Sequence, residues 1–159
     1  MFVLPGKLRP MRLSRRAEPF DSADFIFELK IDGFRALAHI ADGQGELISR
    51  NRNVFRGFSE LATWIAQHLR VESAVLDGEI ACLDERGRPN FRDLLFRQRQ
   101  CIFVAFDLLW LNGKDLRVLP LVERKALLKR LLRRKRSRIL YLDHVEADGR
   151  LLSLKKSPK

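Results

Sequence analysis

Several features that commonly decide a function class are scarce or missing in this sequence. Cysteine is limited to Cys82 and Cys101, both inside apolar runs and without a CxxC or Cys/His spacing. That argues against a cysteine-built zinc site or a disulfide framework and reads them as buried thiols of a reducing cytosol. Acidic residues are outnumbered, with Asp+Glu 20 against Lys+Arg 31, giving a formal net charge of +11. Such an excess favours a polyanionic partner, since each neutralised phosphate releases counterions, although charge alone leaves a generic basic surface equally open. No apolar run approaches the roughly 18 residues of a membrane span. Pro5, Gly6, Lys7 and Pro10 break the start before a signal-type segment forms. The expectation is a soluble cytoplasmic protein with no membrane partner. Neither GxxxxGK[ST] nor GxGxxG occurs, so the common helix-terminal phosphate cradles are absent. His39, His68 and His144 are scattered, and none is assigned chemistry. Internal repeats and low-complexity segments are also missing.

The 159 residues are 46% hydrophobic, enough for one domain, or a piece of one, that buries roughly 70% of its unfolded surface. Residues 1 to 24, punctuated by Pro5, Pro10 and Pro19, read as an extended arm. In 25 to 40, Phe25, Phe27, Leu29 and Ile31 share one face of a predicted strand, and Glu28, Lys30 and Asp32 share the other. Gly33 then marks a bulge or turn. ADGQGE, 41 to 46, reads as a hairpin turn before a short strand. Phe58, Leu61, Ala62, Ile65 and Leu69 recur at helical intervals, predicting an amphipathic helix of about three turns with Ser59 near its start. A strand over 74 to 84 puts Asp77 and Glu79 on one face. A short helix over 91 to 97 leads to the most apolar strand, 101 to 111, closed by the hairpin dipeptide Asn112-Gly113. Pro120 suits the first position of a helix over 121 to 138. Its basic run reads as a solvated face that contacts nucleic acid in the sharper reading. Residues 139 to 152 add one more strand, and 151 to 159 form a basic tail.

The chemistry concentrates on Glu28, Lys30, Asp32, Gly33 and Arg35. Read alone, a lysine between two carboxylates is a surface ladder of alternating charge. Further segments give it another meaning. Residues 28 to 35, ELKIDGFR, resemble the ExKxDGxR signature of the covalent nucleotidyltransferases, which comprise ATP-dependent DNA ligases, RNA ligases and mRNA capping enzymes. Ser49-Arg50-Asn51 resembles their SRN motif, and Leu76-Asp77-Gly78-Glu79-Ile80 their LDGE motif. Residues 103 to 113, FVAFDLLWLNG, resemble the FxxFDLLxLNG segment typical of DNA ligases. With LRPM near the start and YLDHVE near the end, the wording is most similar to bacterial ATP-dependent DNA ligases of the end-joining type, over residues 8 to about 150.

The resemblance implies an α+β nucleotidyltransferase (ATP-grasp-like) domain, antiparallel sheets flanked by helices over 25 to 150. It implies that Lys30 attacks the α-phosphate of ATP, expels pyrophosphate and carries AMP as a lysyl phosphoramidate. AMP then passes to the 5′-phosphate of nicked or broken double-stranded DNA, and a 3′-hydroxyl displaces it. A lysine with an ordinary pKa of about 10.4 must first lose its proton. Because Glu28 and Asp32 would hold that proton, Mg²⁺ is implied as well. By position, the nucleotide site comprises Glu28 on the adenine amino group, Ile31, Arg35, Arg50, Glu79 and Phe106. Arg35 and Arg50 serve ribose, phosphate or the DNA end; Glu79 serves the ribose hydroxyls or the metal; Phe106 stacks on the purine. Asp77 reads as structural.

The family pattern continues beyond YLDHVE with EGxVxK and a strand carrying KxK, and then an oligonucleotide-binding domain. None of these is found. The resemblance therefore implies a ligase adenylation domain incomplete at the C-terminus and impaired in adenylation. Its partners would be a separate C-terminal ligase segment or DNA end-joining proteins near the nucleoid. Two alternatives stay open: a nucleotide- or DNA-binding remnant without chemistry, and an RNA ligase or capping-type enzyme.

Overall fold

The computed structural model of the chain describes residues 8–12, 14–88, 90–96, 100–134 and 138–154. It divides into two units, one of residues 1–10 and 32–141 and the other of residues 11–31 and 142–159.

The larger unit is built on one sheet. Alternating apolar residues form β2 (Phe34–Ala41), β3 (Gln44–Ser49) and β4 (Ser73–Cys82). The apolar run after them forms β5 (Cys101–Leu111). With β6 (Lys114–Asp115) the strand order is β3-β2-β4-β5-β6, all pairs antiparallel, and β7 (Ile139–Tyr141) adds to β5 in parallel. The hairpin predicted at Asn112-Gly113 joins β5 to β6. Asn112 secures it through its side-chain oxygen, which accepts bonds from the Glu72 and Ser73 amides.

One face of the sheet is the core. Ala36, Ala38 and Ile40 of β2, Leu76 and Ile80 of β4 and Phe103 of β5 lie under Leu61, Ala62 and Ile65 of α1 (Ser59–His68). Phe103 is completely buried, and truncating such a ring to alanine typically costs about 3–5 kcal/mol. The short α2 (Phe91–Phe96), between β4 and β5, brings Leu94 to this core. Leu128 and Leu132, from α3 (Leu121–Leu131) and the residue just past it, belong to it as well. The opposite face is divided. At one end Leu37, Val75 and Leu109 make a small second cluster with Leu8. The other end carries charge.

In the smaller unit β1 (Ser22–Glu28) pairs antiparallel with β8 (His144–Ala147), and α4 (Gly149–Leu154) follows. Phe20 packs edge-on against Phe25 and Phe27, with Arg16 above its ring. Arg150 donates its amide to Asp21.

Four expectations are corrected. The strand beginning near Phe25 ends at Glu28, because its partner β8 begins at His144 and pairs with that residue; Lys30 and Asp32 are therefore not rungs of a charged ladder. Cys82 and Cys101 are not separate thiols: the β4–β5 register sets them opposite each other, Cα atoms 4.3 Å apart, as a disulfide. The basic run after Pro120 is not one solvated helix. α3 ends at Leu131, Lys125 is wholly buried, and Arg138 is buried with its guanidinium on Glu60 at 2.7 Å. Finally, the segment read as one last strand forms β7, β8 and the start of α4. Leu8, within the segment read as an extended arm, is buried in the second cluster. Of the basic tail read at 151–159, residues 151–154 belong to α4, and 155–159 lie outside the described residues.

Candidate functional site

The charged end of the second face is assembled by sheet register. Arg35 on β2 stands opposite Glu79 on β4, and Asp77 lies one alternate position away on the same strand face. The Arg35 guanidinium closes on Asp77 with two bonds, Nε to Oδ1 at 3.0 Å and Nη2 to Oδ2 at 2.7 Å. Burial opposes the charge on Arg35, but the bonds to Asp77 and the nearby Glu79 and Asp107 carboxylates outweigh it, so the guanidinium is held more firmly protonated than usual. Burial pushes Asp77 above the ordinary carboxylate range, with Asp107 adding to the effect and Arg35 opposing it. Asp77, read as structural, is held in this buried pair.

β5 carries a bulge at this level. Gly78 pairs with Ala105 and Asp77 with Asp107, so Phe106 is the extra residue. A bulge re-aims the side chain it carries, and the half-buried Phe106 ring lies 5.1 Å from the Arg35 guanidinium carbon. Asp107 is gripped by Arg124, Nε to Oδ1 and Nη2 to Oδ2 both at 2.9 Å, and it accepts the Leu108 amide as well.

Two motif glycines explain the close assembly. A Cβ on Gly33 would strike the Ile80 carbonyl and the Glu79 side chain. A Cβ on Gly78 would lie 2.5 Å from both the Phe103 ring and the Val104 carbonyl. Each glycine lets one motif's backbone lie directly on the next.

Ser49 ends β3 opposite Ala36, the neighbour of Arg35. The SRN motif is then a tight turn, with the Ser49 hydroxyl accepting the Asn53 amide at 3.0 Å and Arg50 exposed on it. Arg35, Glu79 and Phe106 are therefore brought together in the larger unit, with Arg50 on the turn after the β3 end. Glu28, Lys30 and Ile31 belong to the smaller unit. There Glu28 ends β1 opposite His144, Lys30 is exposed and Ile31 half-buried.

Among the described residues no group of three or more His, Cys, Asp or Glu is placed to hold a metal. Asp77 and Asp107 are each engaged by an arginine. Half-buried Glu79, opposite Arg35, is a third carboxylate on this face, and Mg²⁺ is commonly held by one or two carboxylates together with substrate phosphates. Sequence reasoning passed over Asp107, Arg124 and Lys125. Asp107 was visible within FDLL, whereas the two cations were submerged in a basic run.

The family described as the ATP dependent DNA ligase domain matches residues 10–150. The multifunctional non-homologous end joining protein LigD of Pseudomonas aeruginosa is 36% identical over 134 residues, covering 81% of this chain and 16% of that protein. Among solved structures, the ligase domain of M. tuberculosis LigD superposes with a TM-score of 0.71 at 29% identity, over 80% of this chain and 42% of that one. A mycobacterial DNA ligase D complexed with ATP and MES superposes with a TM-score of 0.68, also at 29% identity and with the same coverage. The chain thus spans less than half the length of each of these proteins.

Proposed function

Since this chain belongs to the ATP-dependent DNA ligase domain family, we propose that it performs that family's adenylation step, taking AMP from ATP onto Lys30 for transfer to a DNA break. The observation that carries the reading is the convergence of three motif segments on one face: Arg35 opposite Glu79, and Phe106 turned toward Arg35 by the β5 bulge. The likeness to a DNA ligase D complexed with ATP supports ATP as the donor.

In the first step the neutral Lys30 amine attacks the α-phosphorus. The bond from that phosphorus to the bridging oxygen breaks, pyrophosphate leaves with the electron pair, and the new P–N bond sheds the amine's proton to solvent. Glu28 accepts a hydrogen bond from the adenine amino group, and Ile31 lies against the nucleotide. Phe106 offers its ring to the purine, a contact worth about 1–3 kcal/mol in comparable base stacks. Glu79 accepts from the ribose hydroxyls or would hold Mg²⁺, which would supply charge neutralisation on the phosphates and favour the neutral amine. Exposed Arg50 meets phosphate or the DNA end. Arg35, committed to Asp77, shapes the wall beneath the ring and faces the ribose.

DNA is the second substrate, nicked or broken and double-stranded, met through its backbone. The net charge of +11 and the names of relatives that act in end joining support this. Under the same reading the chain works in the cytoplasm on chromosomal breaks, alongside end-joining proteins or a further ligase segment; among the described residues no helix is long and apolar enough to cross a membrane. Incubation with ATP labelled at the α-phosphate, with and without Mg²⁺, tests the proposal. A Mg²⁺-dependent labelled band that GTP does not compete away is expected; no band at high protein concentration contradicts it and leaves a binding protein.

A further inference from the structure

We infer that Lys125, seconded by Arg124, is a positioning residue for the nucleotide: from α3 the two cations hold the β5 bulge in the conformation that turns the Phe106 ring to the site face. The inference rests on the reading of Phe106 as the adenine platform.

β5 has neighbours on its outer edge at both ends but not in the middle. β7 pairs with residues 103 to 105 and β6 with 110 and 111. The bulged residue Phe106 falls in the gap, where no described strand runs beside it and a backbone carbonyl facing inward needs some other donor. Lys125 is that donor: its Nζ gives a hydrogen bond to the Phe106 carbonyl at 3.1 Å. The side chain is wholly buried, and its ammonium lies 4.9 Å from the centre of the Tyr141 ring. A buried ammonium is costly unless hydrogen-bonded, and a leucine would fill a helix's inward face more cheaply. The adjacent residue takes the other half of the bulge. Arg124 holds the Asp107 carboxylate through two bonds and anchors its own guanidinium on the Leu119 carbonyl at 2.6 Å. Consecutive residues of one helix thus fix consecutive residues of the bulge, one by its carbonyl and one by its carboxylate. Neither cation needs to touch the nucleotide; both act through the direction of the Phe106 ring.

The test is a double-mutant cycle of Lys125→Met and Phe106→Ala in the full chain, read as affinity for α,β-methylene ATP, which binds but cannot transfer its α-phosphate. We expect Lys125→Met to weaken binding about tenfold and to add nothing once Phe106 is alanine. A merely structural lysine would weaken binding equally in both backgrounds, or not at all, and either result overturns the inference while leaving the adenylation reading intact. If instead the unaltered chain does not bind the analogue and Phe106→Ala changes nothing, the adenylation reading itself fails, and the inference with it. Should Lys125→Met not fold, Arg124→Gln at the half-buried neighbour is read in the same cycle, with the same two outcomes.

Discussion

Arg35 and Asp77, which sit in separate motifs, meet across β2 and β4 in a two-bond ion pair with its shorter bond at 2.7 Å. Because the carboxylate is almost completely buried and the guanidinium largely so, each is the other's substitute for water. The pair also fixes the guanidinium beside the Phe106 ring. The wall proposed to face the nucleotide is therefore also a stability element.

Asp77→Ala should accordingly destabilise the fold by about 3 kcal/mol, the order expected when one member of a buried pair is removed and the other is left uncompensated. Urea unfolding followed by circular dichroism measures it. The double substitution Arg35→Met with Asp77→Leu should recover much of that loss. Recovery of nothing would mean that local packing, not the pair, sets the cost.

Gly33→Ala should cost about 1–3 kcal/mol, the range for forcing extra volume into a packed site, because the new methyl meets the Ile80 carbonyl. Asp32→Ala next to it, at an exposed side chain, should shift the unfolding midpoint far less. Equal effects from the two would place the constraint elsewhere in the loop.

His39 makes the stability of the fold depend on pH. Burial lowers its pKa below the ordinary 6.5, against the pull of Glu46, and its Nε2 has no hydrogen-bond partner. The folded state then binds fewer protons than the unfolded state just below pH 6.5, so stability is lost as pH falls from there to the lowered folded value and is unaffected above it. Thermal melts from pH 7.5 to 5 should show this slope, and His39→Leu should flatten it. An unchanged slope in the variant assigns the dependence to another group.

How much of this was legible in the sequence follows the range of the interactions. The 3.6-residue period predicted α1, and the apolar run with Asn112-Gly113 predicted β5 and its hairpin, because local pattern and turn chemistry decide both. The family resemblance likewise pointed to Arg35, Glu79 and Phe106, which the sheet brings together. Where a distant partner decides, the pattern misleads. β1 stops at Glu28 because β8 begins at His144, and the meeting of Cys82 and Cys101 depends on a register that no spacing reveals. Lys125 and Arg138 are chemically like the exposed lysines and arginines around them; only the docking of α3 and β7 on β5 distinguishes them.

That distinction within the basic run is itself testable. Arg138 is buried, bonded to Glu60 and to the Cys101 carbonyl, whereas Arg130 is exposed on α3. Arg138→Ala should destabilise by about 2 kcal/mol, within the usual range for a buried network, and Arg130→Ala by less than about 0.5 kcal/mol. The ordering should reverse for DNA: Arg130→Ala should reduce the salt dependence of duplex binding, one phosphate contact corresponding to a slope change of about 0.9 in log K against log salt. A salt-independent affinity would remove the electrostatic account of DNA binding.

The most direct test of the central claim is to locate the adenylyl group. After incubation with ATP and Mg²⁺, the full chain is digested and its peptides mapped by mass spectrometry. One adenylylated lysine is expected, Lys30, modified through an acid-labile bond, with no modified peptide from Lys30→Ala. A modified residue other than Lys30, or a Lys30→Ala chain that is adenylylated like the original, would contradict the claim.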